Sequence, residues 1–290
     1  MLVLLNIVIG FVVGVVVNLL ADYLPARRHY FIARSSPFST VKPTMPSFFP
    51  RRENGTTYPP YLYSGLLANW RNVAVFDPLH RSRRLVVEIA LPICYGLITA
   101  FNANDPVYGG WHLPFILFYG AALTLITIID LEHRFVMIET LLVPAAVTII
   151  EMLVYPRHTL QGGLQAGWYA FLIMFGLWIF GFIFGFAMRV VTGKRISRTI
   201  LGFGDVEIAA LGGLMLGWQA LGPALLIMVI TGGIGALVFI FNRFRRRGRY
   251  RAFSAIPYGP FICLGVAVSL YAPTLAANLL LIVFGQNPFA

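Results

Sequence analysis

A chain of 290 residues would make one large soluble domain or two small ones, but 58% of this chain is apolar, only 11% is charged, and its mean hydropathy is +0.78. These figures exclude a disordered chain, a nucleic-acid-binding globule and an ordinary water-soluble enzyme. They imply an all-α, polytopic integral membrane protein, because lipid tolerates apolar surface but leaves backbone polar groups no partners except those within helices. The two cysteines, Cys94 and Cys263, lie far apart in apolar stretches and form no CxxC pair, so neither a disulfide framework nor a cysteine zinc site is expected.

A membrane helix needs about 20 largely apolar residues. On that rule eight spans are predicted. The first covers Leu2–Leu20. It has no basic residue ahead of it, and Arg27 and Arg28 follow, so it reads as a retained anchor rather than a cleaved signal. Residues 25–84 come next, a stretch rich in Pro, Arg and aromatic residues without a trustworthy helical or strand period. It reads as a small cytoplasmic cap or a partly disordered loop. The remaining predicted spans are Leu85–Phe101, Leu113–Ile129, Thr140–Tyr155, Gln165–Val190, the short Val206–Leu216, Ala220–Asn242 and a C-terminal Tyr258–Phe284. Pro273 makes that last stretch one kinked helix or two short ones.

The net charge of +11 is a topology signal. Twenty-one of the 22 Lys and Arg residues fall in the 25–84 stretch, at Arg134, and in the loops near 189–200 and 243–251. Arg157 alone stands on the other side. Cytoplasmic loops carry such an excess, so the N-terminus is expected outside and the basic loops in the cytoplasm, in contact with anionic lipid heads. A nucleic-acid footprint would concentrate on one soluble module, and none exists.

Only eleven acidic residues occur, and carboxylates within or at the ends of spans are functional candidates. Asp130 ends the apolar run 123–129. Asp205 lies in Gly202-Phe203-Gly204-Asp205-Val206-Glu207, where a helix begins. By the charge pattern both sit at the cytoplasmic ends of their spans, so two aspartates from different helices can face each other. Such a pair shares one proton. The ionised member activates a water and the protonated member donates to a carbonyl oxygen. Gly202 and Gly204 would let backbone approach closely. Physical reasoning leaves three readings open here: catalysis, proton or ion transport, and helix-end capping, the last favoured for an Asp near a helix N-terminus. A transporter would often show two similar halves, and no internal repeat is visible.

Other features read more plainly. Gly181–Gly185 and the cluster Gly232, Gly233 and Gly235 suit close helix packing. No Gly-Lys-Ser/Thr follows a glycine run, so no phosphate-binding loop is present. His29, His80, His112, His133 and His158 are scattered without metal-binding spacing, and His133 alone is near the aspartates. Glu88 and Glu151 lie within spans and need buried partners or an edge position. Trp111, Tyr155, Trp168 and Trp218 fit interfacial anchors.

Around these residues the sequence resembles the type IV prepilin peptidases, one class of GxGD membrane aspartic proteases. Ile129-Asp130-Leu131-Glu132-His133-Arg134 resembles their first aspartate motif, Gly202–Glu207 their GxGDxK motif, and Ile256-Pro257-Tyr258-Gly259-Pro260-Phe261 the segment opening their final span. The resemblance covers about residues 85–285. It implies a hydrolase of the prokaryotic cytoplasmic (inner) membrane, an aspartic endopeptidase serving the type IV pilus or secretion. Its partners would be prepilins and pseudopilins, cut at the cytoplasmic face between a basic leader and a hydrophobic helix. Asp130 and Asp205 carry over as the catalytic pair and Gly202 and Gly204 as motif glycines, while the segment 257–261 carries over as structure. Glu132 and Glu139 are candidates to orient the basic leader. A second GxGD class, of the presenilin type, remains the alternative among enzymes.

The resemblance also implies a division into an anchor with a basic cytoplasmic loop, residues 1–84, and a peptidase domain, residues 85–290. Gly14, Asn18, Leu24, Pro25, Arg27 and Arg28 stand where related N-termini carry similar residues. In bifunctional members that region binds zinc through two cysteine pairs and supports N-methylation with S-adenosylmethionine. No cysteine precedes Cys94, so zinc is not expected and a methyltransferase activity is in doubt. Two further departures are Met137-Ile138 beyond the first aspartate and Glu207 at the lysine position of GxGDxK. If Glu207 points inward it would raise the proton affinity of the pair.

Overall fold

The computed structural model describes residues 1–35, 44–51, 56–71, 75–76, 78–102, 110–192, 202–245 and 257–285. Among them the secondary structure is helical throughout, save one isolated bridge between Arg51 and Thr57. Ten α-helices follow in order: α1 Leu2–Ser35, α2 Gly65–Trp70, α3 Pro78–Asn102, α4 Leu113–His133, α5 Ile138–Val154, α6 Leu160–Thr192, α7 Phe203–Leu216, α8 Trp218–Arg245, α9 Gly259–Tyr271 and α10 Pro273–Phe284. All eight predicted spans are helical, but not all are long enough to cross a bilayer. Five helices are long and apolar enough: Leu2–Ile32, His80–Asn102, Gly110–His133, Leu160–Ala187 and Trp218–Val238. The pair α9 and α10, bent by 110° at the break before Pro273, would make a sixth if counted as one. At 17 and 14 residues, α5 and α7 fall short of the roughly 20 that a bilayer core demands. The count of eight therefore becomes five or six among the described residues. Much of the basic-loop evidence, including Lys194, Arg195, Arg198 and Arg246–Arg251, lies outside the described residues.

The chain divides into two compact units, Met1–Leu125 and Ile126–Ala290. In the first, α1 does not stop at Leu20. It runs through Pro25 to Ser35, and its polar residues are held by α3. Asp22 pairs with Arg83 at 2.6 Å and also with Arg84. Asn18 donates to Glu88 Oε1 and to the Arg84 carbonyl, both at 3.3 Å. Glu88, 1% exposed, is the hub. It accepts from Ser64 Oγ at 2.6 Å, Gly65 N at 2.9 Å and Leu66 N at 3.0 Å, and so ties the first turn of α2 to α3. Residues 64–66 are thus held against α3. An aromatic row adds apolar area: Tyr23 on Phe48, Phe48 on Phe49, and Phe49 stacked on Tyr63 at 5.0 Å.

In the second unit, α6 and α7 pack antiparallel through small residues. A Cβ on Gly213 would lie 2.5 Å from the Ala166 carbonyl oxygen, and one on Gly167 3.0 Å from that of Ala210. Such absent side chains let backbones approach where lipid offers no hydrophobic drive. The same device joins α8 to α9, where Gly265 stands over the Ala224 carbonyl, and Gly232 and Gly235 stand over Tyr258 and Phe261. Gly185 and Gly233, by contrast, face open space, so the predicted packing role of Gly185 is not exercised within the described chain. Glu151 finds its buried partner in Arg157, a two-pronged pair at 2.6 and 2.9 Å that also reaches the Met215 carbonyl.

Candidate functional site

α4 continues past its apolar run to His133, which puts Asp130 in its last turn. The helix is stopped by Arg134, whose N–H bonds the Asp130 carbonyl at 2.9 Å and whose φ of +55° is rare for a residue with a side chain. Asp205 occupies the first turn of α7, and its Oδ2 accepts the Gly202 N–H at 3.0 Å. That hydrogen bond is the capping role weighed from sequence, and it is real. It occupies one carboxylate oxygen and leaves the other for a second task.

The second task is visible in what surrounds both acids. Asp130 and Asp205 are 6% and 7% exposed. Asp205 feels the Asp130 charge directly, and the backbone N–H of Gly259, at the start of α9, bears on both carboxylates. A Cβ on Gly259 would lie 2.5 Å from Asp130 Oδ2 and 2.9 Å from Ile208 Cδ1. That oxygen is buried and makes no well-formed hydrogen bond among the described residues. An unpartnered, buried carboxylate oxygen is expensive. Beside a second carboxylate it is a natural seat for a shared proton.

Gly204 serves the same constriction from the other side. A Cβ there would lie 2.9 Å from that of Val136 and closer still to Val136 Cγ2, so the chain between α4 and α5 presses against the start of α7. Tyr258 also adjoins the site. Its hydroxyl donates to the Met228 carbonyl at 3.3 Å. Cys263, one turn along α9, is buried.

The structure places the two sequence-predicted acids and both motif glycines in one region of the second unit. The segment 257–261, read as more structural than catalytic, puts Gly259 against Asp130. The signal was the glycine between Tyr258 and Pro260, and Cys263 four residues on. Ile256 lies outside the described residues. The other three acids do not converge. Glu132 and Glu139 are exposed at the end of α4 and the start of α5, and Glu207 is half-buried on another side of α7 from Asp205. Asp205 feels the charge of Asp130, and Asp130 that of Arg134. His133 is exposed, its ring 5.7 Å from that of Phe135. No group of three His, Cys, Asp or Glu residues converges to hold a metal among the described residues.

The depth of the pair differs between helices. Asp130 is near the end of α4, yet Phe203 touches Trp178, only partway along α6. Residues 179–192 of α6 run on past that contact, roughly 20 Å of helix. Residues 236–245 of α8 likewise run past the Gly235–Phe261 contact, roughly 15 Å. The acids are therefore recessed below two helical arms.

Residues 117–240 match the type IV leader peptidase family. Three relatives share the name prepilin leader peptidase/N-methyltransferase. The protein from Legionella pneumophila is 26% identical over 70% of this chain and 67% of its own length. That from Pseudomonas aeruginosa is 26% identical over 61% of this chain and 57% of its own. That from Burkholderia pseudomallei strain 1026b is 36% identical over a shorter stretch, 26% of this chain and 22% of its own. The chain thus spans between about a fifth and two thirds of these relatives. No solved structure matches it.

Proposed function

We propose, from the match of residues 117–240 to the type IV leader peptidase family, that this chain is a membrane aspartic endopeptidase that removes basic leaders from prepilins and pseudopilins. One observation supports the reading above the rest: Asp130 and Asp205, from separate helices, are buried together around the Gly259 amide. The pair holds one proton between two carboxylates, and the titration belongs to the pair. The ionised member takes a proton from a water as that water attacks the scissile carbonyl. The protonated member donates to the carbonyl oxygen, and a proton then passes to the leaving amine. Asp205 is fixed for this by the Gly202 N–H, and Asp130 lies close against Gly259. The peptidase domain is residues 85–290, with residues 1–84 as anchor and cap. The protein sits in the inner membrane of a prokaryote with its N-terminus outside and the pair toward the cytoplasm, as the basic residues direct.

The relatives' name also carries N-methyltransferase. Zinc does not fit here: no cysteine precedes Cys94. In the first unit the Glu88 oxygens are taken by Ser64, Gly65, Leu66 and Asn18. Mass spectrometry of a co-expressed prepilin tests both activities at once. Cleavage gives the shortened chain, and methylation, which replaces one hydrogen by a methyl, adds the mass of one CH2 to it. Asp130→Asn and Asp205→Asn are each expected to abolish cleavage while the protein stays folded. Full cleavage by both variants would refute the reading.

A further inference from the structure

Five aromatic side chains form a ladder along one face of α6. Trp168 stacks on Phe171 at 5.8 Å, Phe171 on Phe175 at 5.5 Å, Phe175 on Trp178 at 5.7 Å and Trp178 on Phe182 at 6.4 Å, with ring planes within 12 to 20° of parallel. The spacing of three and four residues keeps them on one face. Trp178 also meets Phe203 edge to face at 5.9 Å, and Phe203 stands two residues before Asp205. The ladder is open: Trp168 is 59% exposed, Phe182 60% and Phe203 44%.

We infer that this ladder is the track on which the apolar helix of the substrate docks, an inference that rests on the peptidase reading. Interfacial aromatics gather in belts at the two edges of a membrane. This row instead runs lengthwise, roughly 20 Å from Trp168 to Phe182, two thirds of a bilayer core. Its flat, pre-stacked rings have little rotamer freedom to lose on contact, unlike aliphatic side chains of similar area. It is continuous with the site, since Phe203 links Trp178 to the turn that carries Asp205. A helix laid along it passes beside that turn, which meets the ladder at Trp178. A substrate helix that ends at that turn presents its extended, cleavable backbone to Asp130 and Asp205. One apolar helix with a free polar end is the occupant that this length and continuity fit.

The test uses the full chain in membranes with a prepilin. The double variant Phe175→Leu/Phe182→Leu keeps the face apolar but removes the flat rings. KM should rise about tenfold with kcat within twofold. In an Asp205→Asn background, a photo-crosslinking residue at 175 or 182 should capture the prepilin. The same residue at Ile173 or Leu177, on the opposite face, should not. Unchanged KM together with capture of only lipid, or of a second copy of this chain, overturns the track while wild-type cleavage leaves the peptidase reading standing. Absence of cleavage by the wild type overturns both.

Discussion

Gly259 stands so close to Asp130 that a methyl group on its α-carbon would lie 2.5 Å from Oδ2. The aspartate side chain is short, with no flexible end to swing aside, and Ile208 Cδ1 blocks the other direction at 2.9 Å. Gly259→Ala should therefore displace the carboxylate itself. The expected result is at least a tenfold fall in kcat with a stability loss of about 1–3 kcal/mol, the usual cost of overpacking. A Gly259→Ala protein with wild-type kcat would show that Asp130 does not need its observed position.

Gly204 and Val136 permit a paired experiment. Gly204→Ala would drive its Cβ into the Val136 side chain, with 2.9 Å left to Val136 Cβ. The strain falls on the turn that carries Asp205, so activity should drop more than thermal stability. Val136→Ala removes the nearer methyl and should restore part of the loss in the double variant. Simple additivity of the two changes would mean that they do not act through this contact.

The reach of the sequence followed the kind of force involved. Helical spans were legible because apolar length is a local property, and the Asp130 and Asp205 motifs were legible because residue type and spacing carry the chemistry. Span count was less so: α5 and α7 have the hydropathy of spans but not the length, since α7 is cut short by Gly202 and by Gly217, which has φ +73°. The continuation of α1 through Pro25 depends on Asn18 and Asp22 meeting α3, a tertiary fact. The packing of Gly259 against Asp130 was not legible, because a glycine has no side chain to announce the contact. Glu207 looked threatening from its spacing, yet two residues along a helix turn a side chain about 200° away from Asp205.

In the first unit, Glu88 is the carboxylate on which the cap depends. All four groups that meet it are donors: Ser64 Oγ, Gly65 N, Leu66 N and Asn18 Nδ2. Glu88→Gln keeps the shape but turns an amide NH2 toward two of them. Leaving buried donors unsatisfied and removing charge-assisted bonds should cost about 3 kcal/mol. Limited proteolysis should then cut within residues 56–71 at least tenfold faster than in the wild type. Equal protection would mean that Glu88 does not hold this segment.

His158 gives a pH test away from the acids. It is held against the α7–α8 turn, with Nε2 at 3.2 Å from the Leu214 carbonyl and its ring where a Cβ on Gly217 would lie, 2.8 Å from Cγ. Burial first, then the neighbouring Arg157 charge, lowers its pKa below the usual 6.5. The folded protein therefore resists a proton that the unfolded chain accepts. Stability is unaffected above that usual value, where both states are neutral, and falls as pH drops through it. The melting temperature of the purified protein should decline from pH about 7 to about 5. His158→Gln keeps an N–H for Leu214 and has no proton to gain, so its melting temperature should decline less over the same interval. Equal declines in the two proteins would place the acid sensitivity elsewhere, because the substitution removes the titrating group and leaves the Arg157–Glu151 pair beside it intact.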